Sequence, residues 1–546
     1  MLQGLMMDTP LLITRIMRFA DINHAGREIV SVTADSPRHR YTYADAFVRT
    51  RQLANALAGL GMREGDRIAT LAWNDHRHLE LYYAISCSGS VCHTINPRLF
   101  TEQIEYIVNH AEDRLVFTDP MFVPLLEELA DKLPTVEAYI VLTDAEHMPD
   151  TSLKGAVSYE ELLAGEPGEF DWPEFDENAA CSLCYTSGTT GNPKGALFSH
   201  RATVLHAYGI CLPDVMSFSE RNCVLPVVPM FHVNAWGAPY GVPMTGAKLV
   251  LPGPKMGDSE ALHELMESEN VDYSLGVPTV WLNLLAYLEE SGQTANSLQR
   301  VCVGGAACPA SIIETFDTKH DVYVHHAWGM TEMSPVGVYN SLKTGMEALP
   351  ADELLQVRLR QGRGLFGVEM KIVDDNGQEL PWDGVSFGAL KVRGPWVVSA
   401  YYKDDRPAVD ADGWFDTGDV ANITPEGFMQ ITDRTKDVIK SGGEWISSIE
   451  LENTAVNHPK VAEAAVIGIA HPKWTERPLL VVVMRPGETI SREDMLAWFD
   501  GKVAKWWIPD DVAFVDELPH TATGKLKKIA LREQFADYEF PAGSES

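Results

Sequence analysis

The chain has 546 residues, of which 45% are hydrophobic, and 44 basic against 77 acidic residues give a formal net charge of −33. This length exceeds what one hydrophobic core normally supports and predicts two or more domains. The strong acidity argues against binding to nucleic acid or to anionic lipid, because both reward basic patches on a protein surface.

The first residues predict a helix and not a cleaved leader. Residues 1–7 lack the basic start of a signal peptide. Thr9-Pro10 ahead of Leu12, Ile16 and Phe19 is typical of a capped amphipathic helix. The longest apolar tract, 224–254, contains six prolines, which predicts a folded core with turns and no integral membrane segment.

The eight cysteines predict buried, reduced thiols in a cytoplasmic protein, because most lie in apolar segments without a regular framework. Cys181 and Cys184 have the spacing of half a zinc site, but no second pair follows at zinc spacing. In a strand their side chains would also point to opposite faces. A structural role is therefore favoured for both.

Residues 41 to about 330 alternate short β-branched runs with helical patterns, as layered α/β folds do. The predicted helices cover 43–60 and 278–290. The predicted strands cover 67–72, 114–118, 138–143, 179–184, 247–251, 301–303 and 322–324.

The C-terminal third changes character. Residues 365–432 are strand-rich with Gly and Asp turns, which predicts a small β-barrel or β-layer packed on the α/β part. Residues 433–443 form a charged, hinge-like segment. Beyond it a compact unit of about 110 residues is predicted, with helices over 449–457 and 492–503 and strands over 461–469 and 479–484.

Residues 185–195 carry the strongest chemical signal. They read Tyr-Thr-Ser-Gly-Thr-Thr-Gly-Asn-Pro-Lys-Gly and follow a predicted strand, so backbone N–H groups and hydroxyls are exposed to hold phosphate oxygens. A Walker A loop is excluded, because Pro193 stands five residues after Gly188 and Lys194 precedes a glycine. A plain Gly/Ser/Thr connection is the alternative, and the added Pro-Lys-Gly favours phosphate binding.

This loop resembles the signature of the AMP-forming acyl/aryl-CoA synthetases, a superfamily that also holds luciferases and the adenylation domains of peptide synthetases. The resemblance covers nearly the whole chain and implies ATP, Mg²⁺ and coenzyme A (CoA) as cofactors. It implies an N-terminal domain, 1–434, of stacked α/β sheets plus a small β-layer. A mobile α+β C-terminal domain, 435–546, would follow. The phosphate ligands it implies are Thr186, Ser187, Gly188, Thr189, Thr190, Gly191 and Lys194.

The string Trp328-Gly-Met-Thr-Glu332 is similar to the family's aromatic-Gly-x-Thr-Glu motif. The resemblance implies that Trp328 stacks near the adenine, beside Gly329 and Met330. It implies that Thr331 contacts the α-phosphate and that Glu332 ligates Mg²⁺ together with Thr186, and oxygen donors suit this ion. An ordinary acidic turn is the alternative. The turn Gly304-Gly305-Ala306 matches the family's adenine-facing glycines, where missing side chains let a flat base approach.

Asp419 ends the string Trp-Phe-Asp-Thr-Gly-Asp and, by the resemblance, chelates the ribose hydroxyls, with Arg434 as its partner. An Asp-Gly turn and a surface salt bridge are the alternatives for these two residues. Lys525, in Thr-Ala-Thr-Gly-Lys, matches the family's mobile catalytic lysine, which would offset the repulsion between carboxylate and α-phosphate. The alternative is a solvated basic helix face formed by Lys525, Lys527, Lys528 and Arg532.

Lys436 falls at the family's hinge position, so the C-terminal domain would rotate there after adenylation and remove Lys525. The CoA-facing residues implied by the resemblance are Lys440, Gly442, Gly443, Glu444 and Trp445. A charged interdomain turn is the alternative for this segment.

The string Pro-Met-Phe-His-Val-Asn-Ala-Trp, 229–236, matches the acyl side of the site. His232 would lie beside the acyl group, in a positional more than a catalytic role, although a lone histidine in an apolar run is commonly a core residue. Trp236 would gate an acyl tunnel, with a buried core tryptophan as the alternative. Val233, Asn234 and Pro335 complete the implied acyl pocket.

The resemblance is greatest to bacterial medium- and long-chain fatty acid–CoA ligases, and the expected reaction joins a medium-chain acid to CoA through an acyl-AMP. A ligase for 3-methylmercaptopropionate, a short thioether acid, is the alternative. A non-catalytic nucleotide- or acyl-binding relative is a further alternative, opposed by the presence of Lys525 and Glu332. The expected partners are small molecules and a second copy of the chain in a homodimer.

Overall fold

The computed structural model of the chain describes residues 1–186, 192–441, 444–520 and 526–540. Contacts between residues divide the chain into two units. Unit 1 comprises Met1–Glu369 and Arg393–Phe415, and unit 2 comprises Met370–Val392 and Asp416–Ser546. Both units mix helices with sheets, so the predicted α/β class is confirmed. The domain boundary at 434/435 stays a prediction.

The strands of unit 1 are, in chain order, β1 (Glu28–Ser31), β2 (His39–Thr42), β3 (Arg67–Leu71), β4 (Val91–Thr94), β5 (Asp113–Thr118), β6 (Ala138–Val141), β7 (Val157–Ser158), β8 (Ala180–Tyr185), β9 (Gly195–Ser199), β10 (Cys223–Pro226), β11 (Lys248–Leu251), β12 (Tyr273–Gly276), β13 (Arg300–Val303), β14 (Tyr323–Gly329), β15 (Val336–Tyr339) and β16 (Arg363–Gly364). Its helices are α1 (Ile13–Asn23), α2 (Tyr43–Gly59), α3 (His76–Cys87), α4 (Thr101–Ala111), α5 (Val123–Leu129), α6 (Tyr159–Leu163), α7 (His200–Ile210), α8 (Ala238–Thr245), α9 (Ser259–Glu269), α10 (Pro278–Ser291), α11 (Ala310–Thr315) and α12 (Ala351–Leu359). The predicted helices coincide with α2 and α10.

Two large sheets build unit 1. The seven-stranded sheet has the order β7-β6-β5-β3-β4-β8-β9 and is parallel except for its last pair. The nine-stranded sheet has the order β16-β15-β14-β13-β12-β10-β11-β1-β2, with a parallel centre and antiparallel edges. Ligands of such sheets bind beyond the carboxyl ends of parallel strands. A ligand-binding site is therefore expected at the loops that follow β4, β8, β13 and β14.

Helix α3 is buried over its whole length, although its sequence is rich in polar residues. It contacts β1 of one large sheet and β4 and β8 of the other. Its polar side chains are paired inside the protein, as in the ion pairs of Arg77 with Asp35 and of Glu80 with Arg49, both at 2.8 Å. Buried charges are stable only when such partners are present. Distant segments therefore specify this helix as much as its own sequence does.

The N-cap of α3, Asp75, gives a pH-dependent stability that can be measured. Its carboxylate accepts the His78 N–H at 2.8 Å, and the residue is only 2% exposed. Burial raises the pKa of Asp75 to about 7, and burial also raises the pKa of nearby Asp119. A carboxyl whose pKa is higher in the folded state than in the unfolded state stabilises the fold at low pH. That contribution is lost as the pH rises through about 7.

We expect Asp75→Asn to stabilise the fold more at pH 8 than at pH 5, by about 2 kcal/mol, because asparagine keeps the cap and removes the buried charge. Denaturant unfolding at the two pH values measures the difference. Asp258→Asn is the matched control, because Asp258 caps α9 in the same way, with its carboxylate accepting the Ala261 N–H at the protein surface. Equal effects of Asp75→Asn at both pH values would contradict the expectation.

Helix α1 forms as predicted, but its cap and its buried face differ from the prediction. It begins after Leu12 without a side-chain cap, so the cap predicted at Thr9 is wrong. Distant acceptors satisfy the first N–H groups instead, since Leu11 donates to Glu177 at 2.8 Å and Ile13 donates to His200 Nδ1 at 3.2 Å. Phe19, predicted to face the core, is 47% exposed.

The apolar tract 224–254 folds as core, as predicted. It contains β10, α8 and β11, and helix α8 carries Pro239 in its first turn and Pro243 inside. No described helix combines the length and the apolar character that a membrane crossing requires.

Unit 2 contains the strands β17 (Glu369–Val373), β18 (Phe387–Arg393), β19 (Phe415–Ile423), β20 (Met429–Arg434), β21 (Ile439–Ser441), β22 (Glu444–Ile446), β23 (Val461–His471), β24 (Thr475–Met484) and β25 (Asp511–Phe514) and the helices α13 (Ser448–Val456), α14 (Arg492–Ala497) and α15 (Lys528–Gln534). Strands β17 to β20 form a four-stranded sheet in chain order. Strands β21 to β25 form a five-stranded sheet with the order β22-β21-β24-β23 and β25 paired to β24.

The five-stranded sheet is buried on both faces, because its central strands alternate side chains between two apolar clusters. Val466 and Leu480 lie in one cluster, whereas Ile467 and Leu479 lie in the other. The helix predicted over 492–503 ends at Ala497. Gly501, with a φ of 71°, makes a turn soon afterwards, so the helical pattern of the sequence continues further than the helix does.

Candidate functional site

The predicted phosphate loop connects two antiparallel strands. β8 and β9 pair with Tyr185 opposite Gly195. Between them the Thr186 N–H donates to the Lys194 carbonyl at 2.9 Å, and the Lys194 N–H donates to the Thr186 hydroxyl at 3.2 Å. The loop is therefore carried by a β-hairpin, and the two hydrogen bonds between Thr186 and Lys194 close its base, here called the neck. A Walker A loop instead leads from a strand into a helix. Outside the described residues lie five predicted phosphate ligands, Ser187, Gly188, Thr189, Thr190 and Gly191.

Lys194 has an aromatic partner that no sequence motif indicated. Its ammonium nitrogen lies 4.6 Å from the centre of the Tyr401 ring. The Tyr401 hydroxyl donates to Glu332 Oε1 at 2.8 Å. Burial and the nearby Glu332 carboxylate raise the pKa of Tyr401, so the hydroxyl stays protonated and can donate. One side chain thus joins the predicted phosphate lysine to the predicted metal carboxylate.

The predicted adenine and phosphate motif lies on a strand and the turn that follows it. The strand predicted at 322–324 is longer than expected, since β14 continues through Trp328 to Gly329. It continues because β15 folds back and pairs Val338 with Trp328. In the connecting turn the Met330 N–H donates to the Pro335 carbonyl at 3.1 Å. Pro335, predicted in the acyl pocket, is buried and closes this turn through its backbone.

The turn presents Thr331 and Glu332, which are 8% and 7% exposed. The Glu332 carbonyl accepts the Val398 N–H at 2.8 Å, and Oε1 of its side chain accepts the Tyr401 hydroxyl. A second carboxylate oxygen and the Thr186 hydroxyl are hard oxygen donors of the kind Mg²⁺ prefers. The residues present therefore fit the predicted ion.

The acyl-side segment has a left-handed backbone. Four consecutive residues, Val233 to Trp236, have φ values between 44° and 56°, which costs energy for side chains other than glycine. Asn234 is anchored to β8, donating to the Ser182 hydroxyl at 3.1 Å and accepting from the Cys184 thiol at 3.1 Å. Such a strained turn persists only where its surroundings hold it.

Trp236 lies against the predicted adenine turn. A methyl group built on Gly304 would lie 2.9 Å from the Trp236 ring and 3.2 Å from the Ala327 carbonyl oxygen. Gly305 has a φ of 79°. The missing side chain at Gly304 therefore admits the Trp236 indole, in addition to the adenine that the sequence resemblance places at this turn.

A small pocket lies beside the acyl-side turn at the carboxyl ends of β4 and β8. His232, predicted beside the acyl group, is half-buried and lines it. Its other lining residues are Thr94, Asn96, Leu99, Ile107, Cys184, Tyr185, Phe231 and Val233. The pocket therefore adjoins the neck of the phosphate loop, because Tyr185 immediately precedes Thr186.

His206 supports this region and was not indicated by any motif. Its Nε2 accepts the Val336 N–H at 3.1 Å, next to the turn that carries Glu332. A methyl group built on Gly237 would lie 2.7 Å from its ring, so it also borders the acyl-side segment. Burial lowers the pKa of His206 to about 3, which keeps the ring neutral and Nε2 able to accept.

In unit 2 the predicted ribose residues face each other across two strands. Asp419 of β19 and Arg434 of β20 are register partners, and an Arg434 guanidinium nitrogen lies 2.8 Å from the Asp419 carboxylate. The Asp419 side chain is buried, whereas the Arg434 side chain is about half exposed. The salt bridge considered from sequence is present, and it orients the carboxylate predicted to bind the ribose.

The predicted hinge is a tight turn. The N–H groups of Asp437 and Val438 both donate to the Arg434 carbonyl at 2.8 Å, and Lys436 is exposed on this turn. In the hairpin that follows, Lys440 pairs with Trp445, and its ammonium lies 2.9 Å from Asp375 Oδ1. Outside the described residues lie Gly442, Gly443 and the side chain of Glu444.

Lys525 also lies outside the described residues. The alternative of a solvated basic helix face is wrong for two of its members. Lys528 is 8% exposed and lies 2.6 Å from Glu452, and Arg532 lies 2.7 Å from Asp437. Both ion pairs connect α15 to the rest of unit 2, and Lys528 in particular requires its partner because a buried lysine is stable only beside an opposite charge.

Similarity to known proteins covers almost the whole chain. The AMP-binding enzyme family matches residues 21–402, and the AMP-binding enzyme C-terminal domain matches residues 450–525. The 3-methylmercaptopropionyl-CoA ligase of Ruegeria lacuscaerulensis is 52% identical over 534 residues, 98% of this chain and 99% of that protein. The medium-chain-fatty-acid–CoA ligase of Ectopseudomonas oleovorans is 50% identical over 534 residues, 98% of each. The structure of the anthranilate CoA ligase AuaEII with anthranoyl-AMP has a TM-score of 0.83 at 24% identity, covering 97% of this chain and 99% of that one, which shows a shared fold.

Proposed function

The chain belongs to the AMP-binding enzyme family and is an AMP-forming acid–CoA ligase, and we propose that its natural acid is a medium-chain fatty acid. The observation that best supports the nucleotide site is the contact of Tyr401 with both Lys194 and Glu332, since one side chain touches both the cation proposed for the phosphates and the carboxylate proposed for the metal. The choice of a fatty acid is supported by two relatives named for fatty acids, the medium-chain ligase at 50% identity and the long-chain-fatty-acid–CoA ligase of Thermus thermophilus at 44%.

The reaction proceeds in two half-reactions. A carboxylate oxygen of the acid attacks the α-phosphorus of ATP, and the bond from that phosphorus to pyrophosphate breaks. The CoA sulfur then attacks the acyl carbonyl, the bond to AMP breaks, and the thiol proton passes to solvent. The acyl-AMP is needed because a free carboxylate would have to expel oxide.

In unit 1 we assign Lys194 and the loop that begins at Thr186 to the ATP phosphates. Thr331 would donate to the α-phosphate from its position in the turn after β14. Glu332 and the Thr186 hydroxyl would hold Mg²⁺, which supplies positive charge against the phosphate oxygens. Trp328 and the Gly304 turn would bind the adenine.

The remaining assignments belong to unit 2. Asp419 and Arg434 would bind the ribose. Lys525 would neutralise the charge that builds up between carboxylate and α-phosphate during adenylation. Rotation at Lys436 would then bring the CoA-facing residues to the acyl-AMP, namely Lys440, Gly442, Gly443, Glu444 and Trp445.

A short thioether acid is the second candidate, because the 3-methylmercaptopropionyl-CoA ligase is 52% identical over the same span. The experiment that separates the two is pyrophosphate release with ATP, Mg²⁺ and CoA across straight-chain acids from C3 to C16, with 3-methylmercaptopropionate alongside. We expect a maximum in the middle of the fatty series. A maximum at the thioether acid would replace the proposed substrate and leave the mechanism intact.

Trp236→Ala is expected to move this maximum to longer acids. Removing the indole beside Gly304 opens space for acyl carbons, and each additional buried CH₂ contributes about 0.8 kcal/mol, or about fourfold in kcat/KM. The same acid series measures the change. Trp382→Ala is the control, because Trp382 is 39% exposed in unit 2. An unchanged profile for Trp236→Ala would contradict a role for this residue in chain-length selection.

We further infer a cytoplasmic homodimer. All eight cysteines are unpaired, and seven of them are buried, which fits a reducing compartment. Leu2, Leu5, Met6 and Met7 are at least 87% exposed ahead of α1, and a second copy of the chain would remove this apolar surface from water. Light scattering on the purified protein tests the dimer, and a monomer mass at micromolar concentration would reject it.

A further inference from the structure

Tyr401 lies in the connection between β18 and β19, outside every sequence motif of the site. Its hydroxyl donates to Glu332 Oε1 at 2.8 Å, and its ring lies under the Lys194 ammonium at 4.6 Å. Both contacts are formed within unit 1. A neutral phenol therefore stands between an anion and a cation that are both assigned to the ATP complex.

Glu332 is held at two points by the same segment. Val398 donates its N–H to the Glu332 carbonyl at 2.8 Å, and three residues later Tyr401 donates its hydroxyl to the carboxylate. The first contact places the backbone, and the second sets the orientation of the carboxylate. The phenol uses one lone pair of Oε1, so the remaining lone pairs of the fixed carboxylate are available for metal binding.

Lys194 is exposed, and its long side chain would otherwise sample many rotamers. The Tyr401 ring face attracts the ammonium electrostatically and limits this freedom. A lysine held in this way reaches incoming phosphate oxygens at a lower entropic cost than a freely moving one.

We propose that Tyr401 is a positioning residue for the ATP–Mg²⁺ complex, orienting the Glu332 carboxylate through its hydroxyl and the Lys194 ammonium through its ring. This rests on the proposed roles of Glu332 and Lys194 in binding that complex. Hydrogen-bonding partners of metal ligands commonly change metal affinity 10- to 100-fold when removed. The ring contact is weaker and accounts for about two- to fivefold in nucleotide affinity.

Tyr401→Phe separates the two contacts, because it removes the hydroxyl and keeps the ring. Mn²⁺ binding to the enzyme with α,β-methylene ATP, followed by electron paramagnetic resonance, should show at least about tenfold weaker binding for this variant. The Mg²⁺ concentration for half-maximal acyl-AMP formation should rise by the same factor, while the KM of the acid stays unchanged. Tyr401→Leu should in addition weaken binding of the ATP analogue without metal by about two- to fivefold.

Tyr402→Phe is the matched control, since the Tyr402 ring packs edge-on against His110 and its hydroxyl makes no hydrogen bond to the described residues. Unchanged Mn²⁺ affinity in Tyr401→Phe would overturn the proposal. The proposal would also be overturned if the ligand-free variant melted at a lower temperature and lost Mn²⁺ affinity, Mg²⁺ response and acid KM to the same extent. Such a uniform loss would be the effect of a damaged structure. Glu332→Gln tests the underlying site: if it keeps normal Mn²⁺ affinity, the assignment of Glu332 fails. If it loses Mn²⁺ and Tyr401→Phe does not, only the role of Tyr401 fails.

Discussion

Lys525→Ala is expected to lose about 10²- to 10³-fold of the rate of acyl-AMP formation and to keep most of the thioester step from supplied acyl-AMP. The carboxylate and the α-phosphate are both negative, and one positioned cation offsets their repulsion as the new bond forms. The thioester step has no such pair of anions, because the acyl-AMP is already formed. The two half-reactions therefore depend on this lysine to very different extents.

Pyrophosphate exchange measures the first half-reaction, and acyl-CoA formation from synthetic acyl-AMP measures the second. Lys527→Ala is the matched control, because Lys527 lies two residues away and is exposed. Its activity in both assays should equal that of the unaltered protein. An equal loss of both half-reactions in Lys525→Ala would contradict the rotation proposed at Lys436.

Gly329→Ala is expected to lose about 10²-fold in adenylation and to destabilise unit 1. A methyl group at this position would lie 2.0 Å from the Pro335 carbonyl oxygen and 2.7 Å from its carbonyl carbon. Both are backbone atoms, so no side chain can rotate away. The turn would have to open, and a shift of about 1 Å in catalytic groups commonly costs about 10²-fold. The overpacking itself costs about 1–3 kcal/mol.

Pyrophosphate exchange and the melting temperature together measure this effect. Gly59→Ala is the control, because no atom lies within 4 Å of a methyl group at Gly59, at the end of α2. That change should be neutral or slightly stabilising. Normal adenylation in Gly329→Ala would show that the positions of Thr331 and Glu332 are less important than proposed.

Much of unit 1 followed from local pattern. The strands β3, β5, β6 and β11 were predicted within a few residues, because runs of β-branched residues between turns identify short buried strands. The same holds for α2, whose cap Thr42 exchanges hydrogen bonds with Asp45. The predicted bounds were less accurate where pairing with another strand determines how far an element extends. The extension of β14 to Gly329 depends on β15, and nothing within 322–324 indicates it.

The residues of the site also fall into those that local motifs indicated and those that only tertiary contacts revealed. Motif residues such as Lys194, Glu332 and Asp419 were predicted because the short strings that contain them resemble the family's motifs. Tyr401 and His206 were missed, since an isolated tyrosine or histidine has no local signature. Their roles depend on contacts with residues far away in the chain.

The sequence by itself determined the fold class and the position of the predicted phosphate loop directly after a strand, and its resemblance to a known family supplied the residues proposed for adenylation. The fold class and the loop position follow from hydrophobic periodicity and turn chemistry, which act over a few neighbouring residues. Only the tertiary structure decided that the polar helix α3 is buried, that Lys528 points inward, and that Tyr401 joins Lys194 to Glu332. The physical reason is that a buried charge or donor is stable only beside its partner, and that partner comes from a distant part of the chain.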